Sequence, residues 1–434
     1  MSPADREREG AAATSRPERR RFIAGGIGLA GAAAALPIAS RAAAPPGAVE
    51  HPVPQDPSKV PGIPLADESY GARSQFETEV RQRYKTATPL SSWTFTPLQD
   101  SMGIVTPSGL FFERSHGGTA VIDPRRHTLY VHGLVARPRK YSMREVQRFP
   151  SVSRLHFLEC SGNGLTEWSK PTLPTVQGTH GLTSTAEWTG VPLATILREV
   201  GVRASAKWIL AEGNDAAAMT RSIPIEKAMK DCILAWGQNG EALRPEQGYP
   251  LRLLVPGFEG NMNIKWLRRL EISDAPFMTR EETSKYTDIR PDGKAVQFSF
   301  EMEAKSVITS PSGGMQLDGP GFHEITGLAW SGHGTIRRVD VSVDGGGTWR
   351  EAVLQQPVLP ICHTRFRLPW QWDGRSTAVL QSRAVDETGY VQPTLGQLIA
   401  VRGLNGPLGS IYHLNAIQSW QVASDGKVSN VHHY

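Results

Sequence analysis

Residues 335–354, TIRRVDVSVDGGGTWREAVL, alternate apolar and polar side chains, break at three consecutive glycines, and then resume the alternation. A period of two places successive side chains on opposite faces of an extended chain, and glycine supplies the backbone conformations a tight reversal needs. The stretch is a β-hairpin. HTRFRLPWQWD (363–373) and TAVLQSRAVDETGYVQP (377–393) continue in the same manner. Short strands with turns roughly every 8–12 residues predict an antiparallel sandwich over 290–405.

The half upstream reads differently. TLYVHGLV (128–135) alternates as a strand, and RLHFLEC (154–160) is a strand whose last residue, Cys160, opens the loop SGNG. VPLATILREVG (191–201) has Leu193, Ile196, Leu197 and Val200 at helical spacing, with Gly201 as its stop. KWILAEGND (207–215) and YPLRLLVPG (249–257) are further strands ending in glycine-bearing loops. Strands and short helices in alternation predict a domain over 90–285 with its site at the loop edge. Residues 45–89 begin with a proline-rich run and are read as extended wrap, and 406–434 as a polar, irregular tail suited to an interface. A chain of 434 residues is expected to hold two or three cores, and its 39% hydrophobic content is that of a folded protein.

Residues 1–44 read as an export signal. Arg19, Arg20 and Arg21 precede Phe22 and Ile23, and the run from Ala24 to Ile38 carries no charge. Paired arginines before a mild, Gly/Ala-rich apolar run have the form of a twin-arginine signal, which implies a periplasmic protein exported already folded. Such a route suits a protein that takes up its cofactor before export. These residues account for +3 of the formal +5, so the remainder is too weakly basic for a nucleic-acid protein. No later segment is apolar enough to span a bilayer.

Three cysteines leave at least one unpaired in an oxidising compartment. No C-x-x-C-H occurs, so no haem of the c type is expected on this chain. Cys232, in the apolar run DCILAW, and Cys362, in the sandwich, are read as structural. A cysteine closing an apolar strand is more often a small buried hydrophobe than a ligand. Cys160 differs in standing at a strand-to-loop edge whose glycines let backbone approach a bulky group.

FFERSHGG (111–118), LECSGNG (158–164), GLTSTAEWTGVPL (181–193), AEGND (211–215), the run 237–270 and LAWSGHGTIRRVDVSVDGGGTW (328–349) together resemble the sulfite oxidase family, in the family's order. The resemblance implies an α+β molybdopterin-binding domain followed by an all-β immunoglobulin-like sandwich that serves dimerisation. Within the family, the export signal, the lack of a haem motif and the ECSGNG loop resemble the molybdenum subunit of sulfane dehydrogenases. By this resemblance Cys160 ligates molybdenum beside the dithiolene sulfurs of the pterin, a soft thiolate for a soft-ligand site. Phe112, Arg114, Ser115 and His116 fall in the segment that contacts cofactor and substrate pocket. Asp215, Gln247, Arg252, Asn263, Ile264 and Lys265 fall at pterin-binding positions, where a pterin needs paired donors and acceptors and its phosphate needs cations. Tyr286 aligns with an active-site tyrosine.

Two departures bear on substrate. The family's sulfite oxidases carry a basic residue where this chain has Leu165, and a tryptophan near the pocket gives way to glycine around Gly178. A roomier, less positive pocket suits sulfane sulfur carried as a persulfide on a carrier protein. The implied reaction takes oxygen from water and passes electrons to a c-type cytochrome subunit or soluble cytochrome c. The implied assembly is a homodimer through the C-terminal domain or a heterotetramer with the cytochrome. A sulfite dehydrogenase of the same fold, and a cofactor-free exported scaffold or binding protein, remain open readings at this point.

Overall fold

The structure is a computed structural model that describes residues 46–47, 70–404 and 413–432. The export-signal reading of residues 1–44 lies outside the described residues, as does nearly all of the proline-rich run. The described residues from Ser74 onward form one compact unit.

Two sheets build its first half. One runs in the order Glu241–Ala242, Ile233–Gln238, Thr183–Pro192, Val152–Glu159, with Arg252–Leu254 also paired to Ile233–Gln238, all antiparallel. The other runs Arg139–Ser142, Thr128–Gly133, Leu267–Ser273, Trp208–Gly213, Thr220–Pro224, and its single parallel pair joins Thr128–Gly133 to Leu267–Ser273. At the end of that pair Gly133 has φ +90°, and a Cβ there would stand 2.2 Å from the Ile272 carbonyl oxygen, so only glycine fits. The helix Leu193–Val200 closes the core: Leu193, Ile196, Leu197 and Val200 are all buried, and Gly201 ends it in the left-handed conformation. Helices are few and short, as the turn-rich sequence requires.

The second half is the expected sandwich. Lys305–Ser310, Gly321–Trp330, Thr364–Trp372 and Val353–Leu354 form one sheet. Arg350–Glu351, Ile336–Ser342, Ala378–Asp386, Ser419–Val422 and Val428–Val431 form the other. Trp330, Phe366, Leu380 and Trp420 fill the space between them. The hairpin divides after its turn. Arg350–Glu351 stays beside Ile336–Ser342, whereas Val353–Leu354 crosses to pair with Thr364–Trp372, with Ala352 buried at the crossing. A strand that changes sheets in this way closes a corner of the sandwich.

The irregular-tail reading of 406–434 is corrected. Residues 419–431 form a β-hairpin that adds two strands to the second sheet, turning at Asp425-Gly426 with Gly426 at φ +85°. Trp420, Val422 and Val428 point into the core. Ser419, Gln421 and Ser429 on the other face made the segment look polar throughout, although Asp-Gly between apolar residues is a hairpin signal. The end of the N-terminal wrap is likewise paired: Gln82–Tyr84 joins Ser92–Phe95, which joins Glu113–Ser115.

Candidate active site

The strand Val152–Glu159 is antiparallel to Thr183–Pro192, with Glu159 opposite Thr183. The ladder extends one residue further, because the Cys160 N–H donates to the Leu182 carbonyl at 2.9 Å. The chain then turns: the Asn163 N–H donates to the Cys160 carbonyl at 2.9 Å, and the Asn163 side-chain oxygen accepts from the Leu182 N–H at 3.1 Å. A second loop crosses over the sulfur-bearing residue at Gly260, where a Cβ would stand 2.7 Å from the Glu159 carbonyl and 3.1 Å from the Cys160 Cα. Glycine at 260 is therefore a packing requirement of residue 160.

Every residue that the family resemblance nominated lines a single cavity. The strand Glu113–Ser115 and its flanks bring Phe112, Arg114, Ser115 and His116, and the β-loop edge of the first sheet brings Cys160. Asp215 follows the strand Trp208–Gly213, Gln247 ends a single 3-10 turn, and Arg252 opens the strand Arg252–Leu254. Asn263, Ile264 and Lys265 form the far wall, and Tyr286 comes from the turn after Arg280–Ser284. The residues are distant in sequence and meet because three sheet edges open on one side.

The cavity is cationic and largely desolvated. Arg252 is buried and donates to the Gln247 carbonyl at 3.0 Å and the Asn263 carbonyl at 3.3 Å, with its guanidinium 4.8 Å from the Trp188 ring. Burial lowers it from 12.5 to about 9. Among the described residues no carboxylate pairs with it. Lys265 donates to Ser115 Oγ at 2.8 Å and to the carbonyls of Arg114 and Glu246 at 3.0 Å; burial lowers it to about 8, against the opposing pull of Glu113. His116 falls to about 4, through burial first and then the charges of Arg114 and Lys265. It sits 3.1 Å from the Arg114 guanidinium and 3.4 Å from the Tyr286 hydroxyl. Burial raises the Cys160 thiol, so ionisation there calls for a cation close by, which a metal supplies.

These residues fit a molybdopterin. The buried Asp215 Oδ1 and Arg252 Nε have no hydrogen-bond partner in the protein, which leaves an acceptor and a donor available to a polar ligand. Arg252 and Lys265 offer positive charge to a phosphate, and Gln247 lies beside Arg252 at 3.3 Å. Among the described residues no group of three or more His, Cys, Asp or Glu side chains is set to hold a metal. One thiolate, with the remaining ligands supplied by an organic cofactor, is the arrangement this donor set allows.

On its other side Cys160 faces an outer opening lined by Trp93, Arg114, Leu165, Arg280, Lys285 and Tyr286. The Arg114 guanidinium rests 5.0 Å from the Trp93 ring, a platform the sequence reading did not include. Leu165 also lines an adjoining groove with Tyr84, Leu173 and Gly178. The room expected at Gly178 is partly taken: a Cβ there would stand 2.8 Å from the Tyr84 hydroxyl. The apolar opening thus lies chiefly at Leu165. Asn261 was also overlooked. It donates to Ser161 Oγ at 3.2 Å and to Glu259 at 2.7 Å, tying the crossing loop to the residue after Cys160. Its only sequence signal was its place between Gly260 and Asn263. Cys232 and Cys362 are buried and unpaired, away from this cavity.

Residues 116–281 match the family described as "Oxidoreductase molybdopterin binding domain", and residues 296–420 match "Mo-co oxidoreductase dimerisation domain". Mitochondrial sulfite oxidase of Mus musculus is 32% identical over 343 residues, covering 73% of this chain and 62% of that protein. Sulfite oxidase of Gallus gallus is 30% identical over 335 residues, covering 71% and 72%. The chain thus spans about three fifths of the length of the first of these relatives. The crystal structure of the sulfane dehydrogenase SoxCD from Paracoccus pantotrophus superposes with a TM-score of 0.79 at 46% identity, covering 87% of this chain and 98% of that one. With a single cysteine at the mouth of a cationic cavity and a β-sandwich beside it, the chain belongs to the sulfite oxidase family of molybdopterin-binding oxidoreductases.

Proposed function

We propose that the protein is a sulfane dehydrogenase, oxidising sulfane sulfur presented as a persulfide on a carrier protein during thiosulfate oxidation. The observation that carries this reading is Leu165, an apolar residue in the opening beside Cys160 and in the groove leading away from it. A dianion gains nothing from that wall, whereas a persulfide on a peptide arm presents one terminal sulfur and an apolar stem. Likeness to the sulfane dehydrogenase SoxCD supports the same choice.

Bound molybdopterin supplies a two-electron acceptor that exchanges oxygen with water. The chain's own residues then divide the work. Cys160 would hold the metal through its thiolate, and Asp215, Gln247, Arg252 and Lys265 would hold the pterin and phosphate. Arg114, fixed on Trp93, directs a guanidinium at the negative charge on the substrate sulfur. Tyr286 keeps its hydroxyl protonated, because burial raises it, and so serves as a hydrogen-bond donor toward the substrate side. Electrons leave to a c-type cytochrome subunit or soluble cytochrome c, with no haem on this chain. The sandwich supports a homodimer, or a heterotetramer with the cytochrome. The paired arginines before an uncharged run support export to the periplasm, and no helix among the described residues is long and apolar enough to cross a membrane.

Sulfite dehydrogenation is the second reading, favoured by Arg280 and Lys285 in the same opening as Arg114. Steady-state turnover with free sulfite and with carrier-bound persulfide separates the two. The proposal expects kcat/KM to favour the persulfide, and efficient oxidation of free sulfite overturns it.

A further inference from the structure

The residues on either side of Cys160 are gripped by the C-terminal domain. Glu159 is completely buried, and so is Lys305, from the first strand of the sandwich. Lys305 Nζ donates to Glu159 Oε1 at 2.9 Å and to the Asn163 carbonyl at 3.0 Å. It therefore spans the loop that carries the sulfur, touching the residue before it and the residue three after it. Trp330 Nε1 donates to the other carboxylate oxygen of Glu159 at 2.6 Å, and Asn163 Nδ2 donates to Oε1 at 2.9 Å. A third strut comes from Leu414, whose side chain lies 3.1 Å from where a Cβ on Gly164 would stand.

The same domain also supports the strand leading to Cys160. The Phe157 N–H donates to the Ile361 carbonyl at 3.0 Å, Cys362 Sγ donates to the Leu155 carbonyl at 2.9 Å, and His363 Nε2 lies 2.9 Å from Thr183 Oγ1. An ion pair removed from water on both sides recovers its desolvation cost only with good geometry and further hydrogen bonds, and it specifies position more than it stabilises. Mere adhesion between two domains needs no such pair.

We infer that Lys305 and Trp330 are positioning residues, through which the sandwich domain sets where the Cys160 sulfur stands relative to the cofactor. The inference rests on the reading of Cys160 as the metal ligand. The sandwich is thus part of the active-site scaffold in each chain, apart from any role in assembly.

The test uses the molybdenum-loaded protein and two changes. Trp330→Phe keeps the ring and removes the donor. The paired change Lys305→Met with Glu159→Gln removes both charges and leaves neither unpaired. Molybdenum per folded protein, the Mo(V) electron paramagnetic resonance spectrum, kcat, KM and Tm are compared with the parent. Displacing the sulfur is expected to shift the Mo(V) g values and lower kcat about 10- to 100-fold, with KM within about twofold of the parent. Parental spectra and kcat in both variants, with only Tm lowered, overturn the inference. Should the paired change not fold, the Trp330→Phe spectrum decides. A parent chain without molybdenum would instead refute the underlying reading of Cys160.

Discussion

Arg252 offers a prediction that differs between the empty and the loaded protein. Burial alone brings its guanidinium from 12.5 to about 9. At about 1.4 kcal/mol per pH unit, this corresponds to roughly 5 kcal/mol against the charged form. The charge is held in the cofactor-free protein by the carbonyls of Gln247 and Asn263, at 3.0 and 3.3 Å, and by the Trp188 ring. Arg252→Met removes the buried charge and leaves those carbonyls without their donor, at roughly 1–3 kcal/mol each. The two effects nearly cancel, so the cofactor-free variant is expected to melt within a few degrees of the parent. With cofactor the balance differs. Each charge-assisted bond to a phosphate or pterin oxygen is worth about 1.5–3 kcal/mol. Losing one or two weakens cofactor binding by about two to three orders of magnitude. The assay is Tm of both chains made in a cofactor-deficient host, beside molybdenum per protein in a competent host. Full molybdenum content in the variant refutes the argument. So does a cofactor-free variant that unfolds at room temperature, since Arg252 would then be serving the fold.

Cys160→Ser is expected to keep the fold and to lose at least about nine tenths of bound molybdenum and all measurable turnover, read by metal analysis and assay, because a hydroxyl is a hard, weakly acidic replacement for thiolate. Leu165→Arg places a cation in the outer opening, where one well-placed charge contributes about 1–3 kcal/mol; KM for sulfite should fall roughly 5- to 150-fold, with no such gain for persulfide. Glu303 carries a pH prediction. Burial alone would raise it, but His413 at 2.6 Å and Arg402 outweigh that and bring it from 4.5 to about 2. A carboxylate lowered on folding stabilises above its unfolded value, and that contribution is lost as pH falls from about 4.5 to about 2. Glu303→Gln should therefore lower Tm near neutrality, by up to about 3 kcal/mol of stability, and flatten the dependence of Tm on pH in that acid window.

Local pattern was enough to identify strands such as Thr128–Gly133, Val152–Glu159, Trp208–Gly213 and Ile336–Ser342, because a two-residue period reports which face of a strand is apolar whatever lies opposite. The helix Leu193–Val200 was legible from the helical spacing of its apolar side chains and its glycine stop, and the turn at Cys160 from the glycines that follow it. The motif order from FFERSHGG to LAWSGHG carried the family and the site residues. The hairpin at 419–431 was hidden by polar residues on its outward face, whose inward partners acquire meaning only once the sandwich exists to bury Trp420 and Val428.

What no reading of a single chain supplies is which faces meet. Glu159 and Lys305 stand 146 positions apart, and each in isolation is an ordinary charged residue of a strand. Burial turns them into a pair, because an unpartnered charge at 0% exposure would be expelled or neutralised. The sequence by itself determined some of the strands, the candidate cysteine and the family. The tertiary structure decided that Arg114, Asp215, Arg252 and Tyr286 share one cavity with that cysteine, and that the second domain grips the loop bearing it. Local propensity acts over a few residues, whereas desolvated charge and packed apolar surface select partners across the whole chain.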